Sequence, residues 1–297
     1  MYKAGIALFI WLIGSFSNPV LAANPVHSVA FEQLGVKIFL KAYILDSQKI
    51  NILFDPGTYA YMHTGTVKKH SIDYTSSGQM ASQRGSKEVQ VFENFPVLFA
   101  GYTDTFAKIN SQPTAPYQNK RIDLVFGKEW IDEYVVEIDY DHKKIHLWDP
   151  TSYSPKDKYA EIKVHSWVYY PVVKATFGLE GGDSLELLTA INLGAETGFV
   201  LDDKIVKSRK LLKSHPNKGN ISVFGSDGKG IKGMYTKIPS LRIATFRQRL
   251  VKGGMFSDSY GLNKRNQVAA EIGQGFMKYY NVVLDKHREV LYFSLRS

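Results

Sequence analysis

Past the first two dozen residues, apolar positions fall mostly into short alternating runs. Val36 to Ile44, Val89 to Phe92 and Val135 to Leu147 carry this alternation, and in the last run Val136, Ile138, Ile145 and Leu147 mark one side. A period of about two predicts half-buried strands. Between the runs stand breaks at Asp73 to Gly78, Arg84-Gly85, Gly181-Gly182-Asp183 and Asp227-Gly228. Such pairs suit tight hairpins because the turn positions need positive φ. The pattern predicts an all-β chain of hairpins rather than alternating βαβ units.

The order of these segments occurs twice. The first copy reads Ile52-Leu53-Phe54-Asp55-Pro56-Gly57-Thr58, then Leu124-Val125-Phe126-Gly127, then Trp130-Ile131, Tyr134, Val136 and Ile138-Asp139. The second reads Thr189-Ala190-Ile191-Asn192-Leu193-Gly194-Ala195, then Glu271-Ile272-Gly273, then Phe276-Met277, Tyr280, Val282 and Leu284-Asp285. In both copies 12 residues separate the glycine from the aspartate that follows it, Gly127 to Asp139 and Gly273 to Asp285. A short helix and a closing hairpin are expected after each glycine. The stretch Asp149 to Lys158, rich in proline and polar residues, is the expected linker. Two related lobes over 23–150 and 159–297 follow, with a pseudo-twofold axis between them.

Composition narrows the class. With 297 residues, 44% hydrophobic and 22% charged, the chain has enough apolar material for two cores. Lys3, the apolar run Ala4 to Ile13 and the small residues Ala22-Ala23 form the pattern of a cleaved secretory signal over 1–22. Export to the periplasm or beyond is therefore expected, with stability resting on packing, since there is no cysteine to form a disulfide. No later stretch is long and apolar enough for a transmembrane helix. The charge of +9 is scattered and reads as a solvated basic surface. No nucleic-acid-binding module is present. The eight histidines show no His-Glu-x-x-His pattern, so neither a metal nor a cofactor is expected. The run Gly225 to Gly230 lacks the Gly-Lys-Ser/Thr ending of a phosphate loop, and no Gly-x-Ser-x-Gly elbow occurs.

The ordered pair of motifs, present twice, resembles the aspartic peptidase superfamily in its bilobal pepsin-like form or its bacterial retropepsin-like relatives. That family carries two apolar residues followed by Asp-Thr/Ser-Gly, and later an apolar-apolar-Gly segment that passes beside the aspartate turn. The resemblance implies a pepsin-like fold of two β lobes, a cleft between them, and Asp55 and Asn192 at the two dyad positions. It implies a substrate-binding role for Gly57, Thr58, Gly127, Gly194, Ala195 and Gly273. It also implies that the hairpin at Arg84 and Gly85 corresponds to the flap, either as a mobile lid or as a plain surface hairpin.

In the family the two carboxyls share one proton, one acting as base on a water and the other protonating the substrate carbonyl. This chain departs from the pattern. Asn192 stands where the second aspartate belongs, and an amide neither takes nor releases a proton near neutrality. Pro56 and Leu193 replace the hydroxyl residues that tie the two turns together. Glu196 is the nearby carboxylate considered as a substitute, although the family places that position on the far side of the turn. The expectation is a degenerate member that binds an extended peptide or protein segment with little or no hydrolysis. The alternatives are an active endopeptidase with an unusual dyad, or a structural envelope protein whose cleft is filled.

Overall fold

The computed structural model describes residues 24–297, apart from 46, 83–84, 225–229 and 258–267. The signal expected over 1–22, the turn at Asp227-Gly228 and the flap residue Arg84 lie outside the described residues. Within them the chain is mostly strand, as the period-two pattern predicts.

The first half contributes ten strands: β1 (His27–Leu34), β2 (Lys37–Ile44), β3 (Gln48–Asp55), β4 (Tyr61–His63), β5 (Ser76–Ser82), β6 (Gly85–Phe99), β7 (Tyr102–Gln112), β8 (Leu124–Gly127), β9 (Val135–Asp139) and β10 (Lys144–Trp148). The second contributes eleven: β11 (Ala160–Lys163), β12 (Ser166–Trp167), β13 (Pro171–Gly178), β14 (Ser184–Ile191), β15 (Phe199–Leu201), β16 (Asn220–Phe224), β17 (Gly230–Ile243), β18 (Phe246–Phe256), β19 (Ala270–Ile272), β20 (Tyr280–Asp285) and β21 (Val290–Leu295).

One pairing diagram is used twice. In the first half β3 runs parallel to β8, β4 lies antiparallel to β8 and parallel to β7, and β6 and β7 form a long hairpin that also touches β2. In the second, β14 runs parallel to β19, β15 lies antiparallel to β19 and parallel to β18, and β17 and β18 form the long hairpin that also pairs with β13. Each central strand is thus threaded between segments distant in sequence, and its end is held from both sides. The helices Lys128–Glu133 and Gln274–Met277 follow β8 and β19. After each comes the expected closing hairpin, β9–β10 or β20–β21, and Asp139 and Asp285 cap their turns through His142 N–H and Arg288 N–H.

These hairpins join in a run of six strands, β11-β21-β20-β9-β10-β1, in which β9 of the first half pairs with β20 of the second. Strands in its middle are covered on both faces, so β9 and β20 are buried along their whole length. Glu137 at the centre of β9 is tolerated because the Tyr159 hydroxyl, the Trp148 indole N–H and the Lys156 ammonium all donate to it. The core under the first half is aromatic, with Phe126 edge-on to both Trp130 and Phe106.

The stretch Asp149 to Lys158 has no helix or strand, as expected of a connection. It is nevertheless anchored: Tyr153 is buried against Trp148 and Tyr292.

Candidate active site

Strand β3 ends at Asp55, which lies in register with Gly127 of β8. There the chain turns sharply: Asp55 Oδ1 accepts from Gly57 N–H at 3.1 Å, and the Asp55 carbonyl accepts from Thr58 N–H at 3.0 Å. The Thr58 carbonyl in turn accepts from Lys128 N–H, at the start of the helix after Gly127. Asn192 follows β14 and repeats each step. Its Oδ1 accepts from Gly194 N–H at 2.9 Å, its carbonyl accepts from Ala195 N–H at 3.1 Å, and the Ala195 carbonyl accepts from Gln274 N–H at 2.8 Å. Gly127 and Gly273 are glycines for a steric reason, since a Cβ on either would strike the backbone of the turn beside it.

The two turns meet. Gly194 packs against the Asp55 carboxyl so closely that a side chain there would collide with it. Lys37 of β2 reaches across and donates to the Gly194 carbonyl, with Glu196 Oε1 3.9 Å from its ammonium. Asp55, Gly57, Thr58 and Gly127 therefore sit on one side of a joint whose other side is Asn192, Gly194, Ala195 and Gly273. Gly85 is placed at the tip of the β5–β6 hairpin, opposite Ser82.

Pro56 and Leu193, at the expected hydroxyl positions, line an apolar hollow instead, together with Ile191, Trp167, Tyr169 and Tyr170. The Tyr170 ring lies directly on Gly57. The space left is about 10 Å³, room for about one water. A larger open groove of about 320 Å³ borders the β5–β6 hairpin and is lined by Tyr74, Ser77, Glu88, Gln90 and Ser111.

The residue that sequence reasoning missed is Glu271. It lies on β19 between Ala190 of β14 and Val200 of β15, 2% exposed. The Asn192 side chain interacts with its carboxyl. Because Asn192 Oδ1 is engaged by Gly194 N–H, the amide NH₂ is the group available to donate toward Glu271. Glu271 Oε1 has no hydrogen-bond partner among the described residues. Burial pushes this carboxyl up to about 7, and the nearby Asp55 charge pushes the same way, while the Asn192 side chain and Lys37 pull it down. At neutral pH it is about half protonated, and below that mostly a neutral acid.

Other side chains bear on the joint. Burial, and after it the Asp55 charge, hold the Tyr61 phenol well above the usual range, so it remains a neutral hydroxyl. Glu196, the carboxylate considered from sequence, is half exposed and accepts from the Tyr117 hydroxyl at 3.4 Å. It faces Lys37 rather than replacing the group missing at Asn192.

No family model matches this chain, and no curated protein matches it. Among the described residues no helix is long and apolar enough to cross a membrane.

Proposed function

We propose that the chain is an exported protein of the aspartic-peptidase type, with pepsin-like lobes over 23–150 and 159–297 and a cleft between them that receives an extended peptide. One observation carries this reading: the Asp55 and Asn192 turns hold the same set of hydrogen bonds and meet face to face, Gly194 against the Asp55 carboxyl. Two turns built alike at one joint are what a cleft with a central pair of polar side chains requires. An extended peptide docks by backbone pairing, which needs no proton transfer. The open groove beside the β5–β6 hairpin offers further room for such a segment.

The test is calorimetric titration with a panel of extended peptides, followed by cross-linking from a photoreactive group on the tightest member. Binding with cross-links to residues around Asp55 and Asn192 is expected. Gly194→Val, which pushes the turns apart, should abolish it. A panel that leaves the wild type silent, or cross-links mapping away from both turns, removes the peptide-cleft reading.

A second reading is favoured by Trp167, Tyr169 and Tyr170, which crowd the Pro56 and Gly57 side of the joint. A filled cleft would make the protein structural. Tyr170→Ala separates the two: it should strengthen peptide binding if Tyr170 merely narrows the cleft, and leave the protein silent if the cleft no longer serves a ligand.

A further inference from the structure

Two acids stand at the joint where the turns alone offer one, half-buried Asp55 and buried Glu271. Resting on the peptide-cleft reading and going beyond it, we propose that Glu271, held neutral behind the Asn192 amide, is a positioning residue of this site that lets the cleft, with Asp55 as base, act as a peptide hydrolase. The geometry is specific. Glu271 lies on β19 beside the strand that leads into Asn192, interacts with that side chain, and keeps one oxygen without a partner in an enclosed position. A buried carboxyl with an unused oxygen is costly unless it carries a proton. The charged groups facing it are Asp55 and Lys37. The flanking strands present Ala190 and Val200 at the paired positions.

The step follows from these placements. The Asp55 carboxylate takes a proton from a water while the water oxygen bonds to the scissile carbonyl carbon, and the carbonyl electron pair moves onto its oxygen. The Asn192 amide is the N–H donor at the joint for that oxyanion. When the carbonyl re-forms, the carbon–nitrogen bond breaks and the Asp55 proton passes to the leaving nitrogen. One water is consumed, one acid and one amine are released, and Asp55 returns to its carboxylate. Glu271 keeps its proton throughout. Neutral, it lets the amide face a developing negative charge; ionised, it sets a second negative charge directly behind that amide and opposes the oxyanion. It is a positioning residue, and Asp55 is the catalytic one.

The experiment measures cleavage of a fluorogenic peptide mixture by the full chain across acidic to alkaline pH, beside Asp55→Asn and Glu271→Gln. Wild type should cleave, with the rate falling about tenfold per pH unit above neutrality as a single acid ionises. Glu271→Gln is neutral at every pH and should keep its activity where wild type loses it. Asp55→Asn should be inactive throughout. A wild type that binds peptide but cleaves at no pH overturns the proposal while leaving the cleft reading intact; absence of peptide binding removes both. An alkaline limb identical in wild type and Glu271→Gln also overturns it.

Should Glu271→Gln fail to fold, the wild type itself decides, by NMR titration with isotope-labelled glutamate. One glutamate carboxyl should titrate near neutrality, and its midpoint should move down in Asp55→Asn, where the neighbouring charge is gone. A neutral-range midpoint indifferent to Asp55→Asn belongs to another residue and defeats the assignment.

Discussion

The two turns have the same backbone and opposite distributions of acid. In the first half the carboxyl is on the turn, at Asp55, and the position two residues before the supporting glycine is Val125, buried against Phe39 and Ile122. In the second half the turn carries an amide, Asn192, and the position two before the glycine is Glu271, buried beneath it. The second half still carries a carboxyl at this joint, one strand further in, on β19, with the amide in front of it. An acid at the turn can meet a ligand, whereas an acid one strand back can only set the charge and direction of what lies in front of it. A motif read position by position records an amide at the turn and passes over the acid behind it.

The harshest way to break the comparison is to give the first half the acid of the second. Val125→Glu would bury a carboxyl with no amide in front of it, since Asp55 would face it instead. A loss of roughly 4 kcal/mol is expected, read from urea unfolding at neutral pH.

Next in size is the pH dependence that Glu271 should confer. Its folded value of about 7 lies above the ordinary 4.5, with burial the largest cause. The folded chain thus holds this proton more tightly than the unfolded one. Its contribution to stability is complete below pH 4.5 and is lost as pH rises through about 7, a change on the order of 3 kcal/mol. Carboxylates whose values are depressed, such as Asp132 and Asp139, act in the opposite sense at lower pH. The difference between wild type and Glu271→Gln isolates the one contribution: the wild-type decline should be missing from the variant. Parallel curves would show that Glu271 is not protonated in the folded protein.

Asn192→Asp sharpens the comparison from the other side. It gives the second turn the residue of the first but replaces an amide donor facing Glu271 with another acid, beside Asp55. The expected cost is about 2 kcal/mol at pH 8, shrinking as Glu271 and the new carboxyl take up protons at lower pH. Unfolding curves at two pH values test this, and equal costs at both would deny the coupling.

The smallest effect belongs to the rim. Tyr117→Phe removes a long hydrogen bond to half-exposed Glu196, and thermal unfolding should change by no more than about 0.5 kcal/mol. A larger loss would mean that Glu196 matters to the joint after all.

Much of this architecture was legible in the sequence because it depends on local chemistry. Alternating residues specify strands, glycines mark the close approaches at Gly127 and Gly273, and the repeated spacing exposes the repeated pairing. Asp55 and Asn192 could be placed together because each ends a strand of the same kind. Glu271 was equally visible, as the one charged residue in an apolar-apolar-Gly segment, and its mismatch was the signal: an acid on a strand covered from both faces needs a partner. Lys37 and Tyr170 gave no comparable signal. Their roles come from contacts across the joint, with Gly194 and Gly57, and no local pattern encodes which distant loop a side chain will meet. The flap expectation at Arg84 lies outside the described residues, and Gly85 is placed only as a hairpin tip.

The six-strand run that ties the halves together also sets a clock. Asp55 is made long before β20, the strand that fastens the second half to the first, and β21 must still close against β11. Until those last strands pair with what was synthesised long before, the Asp55 turn has no Gly194 in front of it and no Glu271 behind its partner. A nascent chain therefore has no assembled joint, and truncation of the final hairpin should undo the contact between Gly194 and Asp55.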